Sequence, residues 1–308
     1  MRSFIFKMGM LTLLVLAALA FSLFFIPDKV SENSILAAIQ DKHELLEKTG
    51  NERIILVGGS NVSFGVDSKK IADSLEKKVI NTGLHGGLGL KFILNDVKPF
   101  IKSGDLVVVM PEYEYFYTDN LYGEMELVSV LFDIDPSTKK FVDADQWMHL
   151  VRYLPTYSAR KIKNYLTSLW KKEDAQLDIY HRRSFNEYGD ASLHWDLPSQ
   201  NYLPAIARSG KERIYSEAIA CLKDFKEYVH SKNARLLLLP PVMDSTSFFR
   251  QQVIINKIAN ELRNNDLAFE AEPTKYQYSN KLFFNSYYHL NKKGVDIRTA
   301  ELIREIRE

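Results

Sequence analysis

Residues 53–65 read Arg-Ile-Ile-Leu-Val-Gly-Gly-Ser-Asn-Val-Ser-Phe-Gly, an apolar run halted by two glycines and followed by Ser60 and Asn61. Ile54 to Val57 are aliphatic and too few for a helix, so they predict a buried strand closed by a turn. Beyond the glycines, Asp67-Ser-Lys-Lys-Ile-Ala-Asp-Ser-Leu puts Ile71 and Leu75 four apart, on one helical face. Strand, glycine turn and helix together place Ser60 at the carboxyl edge of a sheet. Open α/β folds bind ligands there, and glycine lets a substrate approach the backbone closely. Ser60 is therefore a candidate nucleophile. The same turn also suits a purely structural corner, or an anion cradle at a helix N-terminus.

Upstream, Arg2 and Lys7 precede an uncharged apolar run from Met8 to Ile26, closed by Pro27-Asp28-Lys29. Its length suits a helix crossing a bilayer, and it outruns the apolar part of a cleaved signal. Residues 1–27 are expected to be a signal anchor. Positive charge ahead of the span places the N-terminus in the cytoplasm and the remaining chain outside it, at the cell membrane. Residues 28–52 read as a polar, partly helical stalk. Residues 53–308 then form the domain.

Downstream, the pattern of the first strand repeats. Lys78-Val-Ile-Asn-Thr-Gly83 predicts a second strand, Leu84-His-Gly-Gly-Leu-Gly89 a second glycine loop and Leu90 to Ile101 an amphipathic helix. Asp105 to Pro111 predicts a third strand, buried on both faces. Recurring strand, turn and helix predict a mostly parallel sheet with right-handed crossovers. From about 113 to 210 the alternation fails and aromatic residues crowd in, among them Tyr113, Tyr115, Phe116, Tyr117, Trp147, Tyr157, Trp170, Tyr180 and Trp195. This stretch is expected to be an insertion over the sheet edge, helical across 147–170 and a loop across 190–201. Aromatics mixed with Asp and Asn suit a sugar-binding groove, although each ring taken singly also suits the packing of a helical cap. Arg160-Lys-Ile-Lys and Lys171-Lys172 read as solvated helix faces. A helix over 211–230, a buried strand over 234–242, an amphipathic helix over 247–264, a strand near 281–284 and a last helix from about Lys292 complete the chain.

Composition excludes several classes. At 308 residues, with 46% hydrophobic residues and a net charge of +1, nothing pulls the chain toward nucleic acid. The single cysteine, Cys221, rules out an internal disulfide framework and reads as a buried structural thiol. Asp133, Asp135, Asp143 and Asp145 lack the spacing of a calcium loop, and no zinc-protease or nucleotide-loop motif is present, so no metal or cofactor is expected.

The order of elements over roughly residues 53–308 resembles the SGNH (GDSL-like) hydrolase superfamily, in particular its membrane-anchored members that work with O-acyltransferases on cell-envelope polysaccharides. Three segments carry the resemblance: Gly59-Ser60-Asn61, Asn81-Thr-Gly-Leu-His-Gly86, and Asn285-Ser-Tyr-Tyr-His289-Leu-Asn-Lys-Lys-Gly294. The resemblance implies a three-layer α/β/α, flavodoxin-like fold with Ser60 as nucleophile and His289 as base. The amides of Ser60 and Gly86 would bind the oxyanion. It further implies a membrane-bound O-acyltransferase as partner, a polysaccharide substrate, and an acyl-esterase or O-acyltransferase activity. Those roles agree with the chemistry, because a serine hydroxyl needs a base and an oxyanion needs preorganised donors.

Two elements depart from the family pattern. Its third block ends in an oxyanion-donating Gly-x-Asn, where this chain has Met110-Pro-Glu-Tyr-Glu-Tyr115. Pro111 has no N–H, and an ionised Glu112 accepts rather than donates, so the third donor is missing unless Tyr113 or another side chain substitutes. Asn285 stands where an aspartate would orient the histidine; it can hold the ring but cannot stabilise imidazolium by charge. Glu112 and Glu114 are the carboxylates nearest in type to compensate. Asn61, His85, Glu112 and Tyr113 are candidate substrate contacts. The alternatives are a catalytically inactive glycan- or partner-binding protein with the same fold, and a phosphate binder.

Overall fold

The apolar run Ile54–Gly58 forms strand β1, buried along its length, in the computed structural model, which describes residues 2–170 and 178–308. Three strands join it in parallel, β2 (Val79–Asn81), β3 (Leu106–Met110) and β4 (Arg235–Leu238), in the order β2-β1-β3-β4. Side chains alternate across a strand, and the register sorts them into two cores. Ile55, Val57, Val107 and Val109 bury with helices Leu90–Val97 and Ser216–Ser231. Ile54, Leu56, Val108 and Met110 bury with Ile71 of helix Ser68–Leu75 and Leu302 of helix Lys292–Arg307. The chain is thus α/β with a parallel sheet.

From β1 the chain crosses to β2 on one side, then passes back to β3 on the other. The winding direction reverses between β1 and β3, and the crevice beyond their carboxyl ends is the place where such sheets bind ligands. Ser60 follows β1 and Glu112 follows β3.

The structure differs from the sequence expectation in several elements. Residues 28–52 do not form a stalk: Ile35, Leu36, Ala38, Ile39 and Leu46 lie in the main core, so the helical spacing of those apolar residues reports a packed face. The expected buried strand over 234–242 ends at Leu238 and lies at the sheet edge, with Arg235 exposed. Beyond it, Met243–Asp244 (β5) pairs with Gln277–Tyr278 (β6) in a separate two-stranded ladder. Lys281 to Phe284 is no strand; it holds a 3-10 turn, Asn280–Leu282, and a single bridge from Phe283 to Leu290. Three apolar residues, Leu282, Phe283 and Phe284, do not distinguish these outcomes.

The helix expected over 211–230 starts at Ser216, because Tyr215 N–H donates to Phe116 O at 2.8 Å and holds the preceding backbone extended. The helical reading of 147–170 is broken by a 3-10 turn, Val151–Tyr153, ahead of helix Leu154–Ser168, whose first turn contains Pro155. Proline lacks an N–H and suits a helix start rather than its interior.

Within the stretch 113–210, Tyr113, Tyr115, Phe116 and Tyr157 are fully buried, which is the packing role, while Trp170 is exposed. Lys171 and Lys172 lie outside the described residues. The N-terminal helix Arg2–Phe25 is long and apolar enough to cross a membrane.

Candidate functional site

Ser60 opens a short helical turn, Ser60–Ser63, directly after Gly59. Its hydroxyl donates to Glu112 Oε1 at 3.2 Å, and Asn61 N–H donates to the same oxygen at 3.3 Å. The Asn61 side chain fastens the turn: its Oδ1 accepts from Gly59 N–H at 3.1 Å and its Nδ2 donates to Met110 O at 2.9 Å, joining the ends of β1 and β3. Asn61 is therefore a positioning side chain.

The Glu112 carboxyl fills the space between the two glycines. A Cβ at Gly59 would lie 2.5 Å from Glu112 Oε1, and one at Gly86 would collide with Oε2. Only glycine admits the carboxyl at both positions. Burial, reinforced by Glu114, pushes the Glu112 carboxyl up to about 7. Near neutrality it is thus protonated about as often as not, and a protonated carboxyl donates as well as accepts. The sequence expectation that Glu112 only accepts is changed by its burial.

His289 is built from other parts of the chain. Its Nδ1 lies 2.9 Å from Asn285 Oδ1, and Asn285 Nδ2 donates to the Tyr180 hydroxyl at 2.9 Å. With the amide so oriented, Nδ1 carries the proton and Nε2 keeps its lone pair, the tautomer a general base needs. The ring stacks on Phe64, with centroids 4.3 Å apart and planes 13° apart. Phe64 also packs against His194, whose Nε2 lies 2.8 Å from Leu290 O. Burial, with the two histidines His194 and His85 nearby, pushes the His289 imidazole down to about 3; burial likewise lowers His194 to about 4. Both rings are neutral at ordinary pH.

The structure thus brings the two predicted segments together through Phe64, whose N–H donates to Ser60 O at 2.9 Å while its ring carries His289. Among the described residues no hydrogen bond joins Ser60 Oγ to His289; the serine hydroxyl is turned to Glu112. Glu112 does not stand behind the imidazole, and neither does Glu114, which accepts from the Tyr288 hydroxyl at 2.7 Å. Tyr113 brings its N–H to the Tyr288 hydroxyl at 3.1 Å, and its own buried hydroxyl has no partner among the described residues. The hydroxyl beside Gly59 is that of Tyr115, also buried and unpartnered among the described residues, 2.7 Å from where a Cβ would stand. His85 Nδ1 accepts from Gly87 N–H at 3.0 Å and so caps the turn at Gly86.

Tyr115, Tyr180, His194 and Asp190 carried no sequence signal for a role here. Asp190 accepts from Ser68 N–H at 2.8 Å, Ser68 Oγ at 2.6 Å and Asn81 Nδ2 at 2.8 Å, and Asn81 Nδ2 also reaches Val62 O. It latches the aromatic stretch to the turn that bears Ser60. The aspartates at 133, 135 and 143 are engaged in an ion pair with Lys161 or in capping turns. Cys221 is half-buried, and its thiol is pushed up to about 11 by burial.

No family model matches the chain, and no curated protein matches it.

Proposed function

We propose that this protein is a membrane-anchored, extracytoplasmic serine acyl-esterase or O-acyltransferase with an SGNH-like three-layer fold, acting on ester-linked acyl groups of an envelope or secreted polysaccharide. The observation that carries the reading is the tautomer-holding chain Tyr180–Asn285–His289, set against Phe64 of the turn that bears Ser60 at the β1–β3 crevice. In the proposed reaction Ser60 Oγ leaves Glu112, passes its proton to His289 Nε2 and bonds the ester carbonyl carbon. Hydrogen bonds of this kind are often loose before substrate binds. The alkoxide departs with that proton and leaves an acyl-serine. Water or an acceptor hydroxyl then gives up its proton to His289 and takes the acyl group as the acyl–Oγ bond breaks, and His289 returns that proton to Ser60 Oγ. Oxyanion donors are the amides of Ser60 and Gly86, aided by protonated Glu112 or the Tyr115 hydroxyl once the carboxyl yields its place.

The second reading is a catalytically silent glycan- or partner-binding protein. Glu112 favours it, because its carboxyl takes the Ser60 hydroxyl and the Asn61 N–H and fills the space between Gly59 and Gly86. The low affinity of His289 for a proton favours it too, since a general base works best when it titrates near the operating pH. A fluorophosphonate probe separates the two. Covalent labelling of the native chain, abolished by Ser60→Ala, is the expected result; an unlabelled native chain would sink the enzymatic reading.

A further inference from the structure

The last turns of the N-terminal helix are packed rather than free. Ser22 Oγ donates to Ser158 O at 2.8 Å, Lys161 Nζ donates to Leu23 O at 3.0 Å, and Asn164 Nδ2 reaches Asp28 Oδ1 at 3.4 Å. These partners ascend together, so helix Leu154–Ser168 runs in the same direction as Arg2–Phe25. Its first turn, with the turn Val151–Tyr153 ahead of it, therefore lies beside the part of the N-terminal helix that precedes Ser22. Before that residue the helix is exposed and apolar, with Leu11, Leu13, Leu14, Val15 and Leu16 all open. The domain edge is held at the depth of an apolar segment.

The chemistry of that edge suits such a depth. Met148 and Val151 are 72% and 56% exposed. Phe24 meets Phe132 edge-on at 5.7 Å, and Phe132 meets Trp147 at 6.2 Å. The Lys139 ammonium lies 4.5 Å over Phe132 and that of Lys140 4.9 Å over Phe141. Exposed apolar tips, a belt of aromatic rings and flanking lysines are the composition of a segment lying between acyl chains and headgroups, with lysine stems on apolar surface and their charges toward phosphate. Arg152, at the same edge, is engaged with Asp119.

We propose that the edge Met148–Val151, with Trp147 and Phe132, is a second membrane contact that seats the domain on a phospholipid surface. The proposal rests on reading Arg2–Phe25 as a membrane span. The seat bears on the candidate site through the segment next to the span: Ile35 N–H donates to Tyr180 O at 2.7 Å, and the Tyr180 hydroxyl holds Asn285 behind His289. The segment next to the span is thereby tied to the histidine half of the candidate site.

The test uses the full chain reconstituted into phosphatidylcholine–phosphatidylglycerol vesicles, with no other protein present. The three tryptophans allow single-probe versions, Trp170→Phe with Trp195→Phe leaving Trp147, and Trp147→Phe with Trp170→Phe leaving Trp195. Flotation with the vesicles reports the span independently of the seat. Lipids brominated near the headgroup end of the acyl chain are expected to quench Trp147 about threefold more than Trp195, as for an interfacial aromatic. Met148→Asp with Val151→Asp, both at exposed positions, is expected to bring Trp147 quenching down to the Trp195 level while flotation and melting temperature hold. A chain that floats with Trp147 quenched no more than Trp195 would overturn the seat, as would quenching that survives the double aspartate change. A chain that fails to float would overturn the span itself.

Discussion

The serine half of the candidate site and its histidine half are made differently. Ser60, Asn61, Gly59 and Gly86 lie within thirty residues of one another, on turns that follow adjacent strands, and their contacts run to a single buried carboxyl, Glu112. His289 is assembled from Asn285, Tyr180, His194 and Phe64, which come from four separate stretches of chain. The serine half is a local loop with an ionisable cap. The histidine half is a packed aromatic wall with a polar relay behind it. The Ser60 hydroxyl is held by one ionisable carboxyl, whereas the His289 ring is held in place by burial.

Three substitutions test how far the two halves depend on each other. Among the described residues Phe64 is the ring shared by both halves, so Phe64→Ala is expected to have the largest effect. The cavity should cost about 3–5 kcal/mol of folding stability, read by chemical denaturation, and any probe labelling of Ser60 should vanish with it. Retention of both would mean that the halves are coupled elsewhere.

Glu112→Gln tests the cap. A carboxyl held up to about 7 by burial keeps its proton in the folded chain at pH values where the unfolded chain has already lost it. Folding stability therefore falls as pH rises from the ordinary carboxylate range toward 7. The amide removes that loss, so the variant is expected to be more stable than the native chain by on the order of 2–3 kcal/mol at pH 8 and equal to it at pH 4. Equal stability at both pH values would show that the carboxyl ionises without penalty. His289 has the opposite sign: its ring is held neutral, and its contribution is lost as pH falls below the ordinary histidine range.

Asn285→Asp tests the relay with the smallest expected change in stability. A carboxylate behind Nδ1 favours imidazolium, so the His289 proton affinity should rise, followed by NMR titration of the ring. Probe labelling of Ser60 should quicken by about tenfold or more if His289 is its base. A raised proton affinity with unchanged labelling would separate the histidine from the serine.

Much of the fold was legible because burial leaves a periodic trace. The runs at Ile54–Val57 and Leu106–Met110, and the spacing of Ile71 with Leu75, name two strands and a helix without further information. The same rule misread residues 28–52, because periodicity reports a buried face but not which surface buries it; Ile35, Leu36 and Leu46 pack into the domain. It also misplaced the strand near Lys281, where a short apolar run serves a bridge and a turn equally well.

In the candidate site, the place of Ser60 after β1 and the nearness of Asn285 to His289 were readable, because both follow from short-range order along the chain. The protonation of Glu112 was not, because a carboxyl's charge depends on desolvation by neighbours that only the folded chain supplies. A parallel α/β domain behind an apolar helix, with a serine at a strand-end turn, follows from local residue pattern alone. Only the tertiary structure decided that the serine points to Glu112, that Tyr180 stands behind Asn285, and that the segment next to the apolar helix is part of the core. Those facts depend on contacts between residues far apart in the chain, and no local pattern encodes their distance.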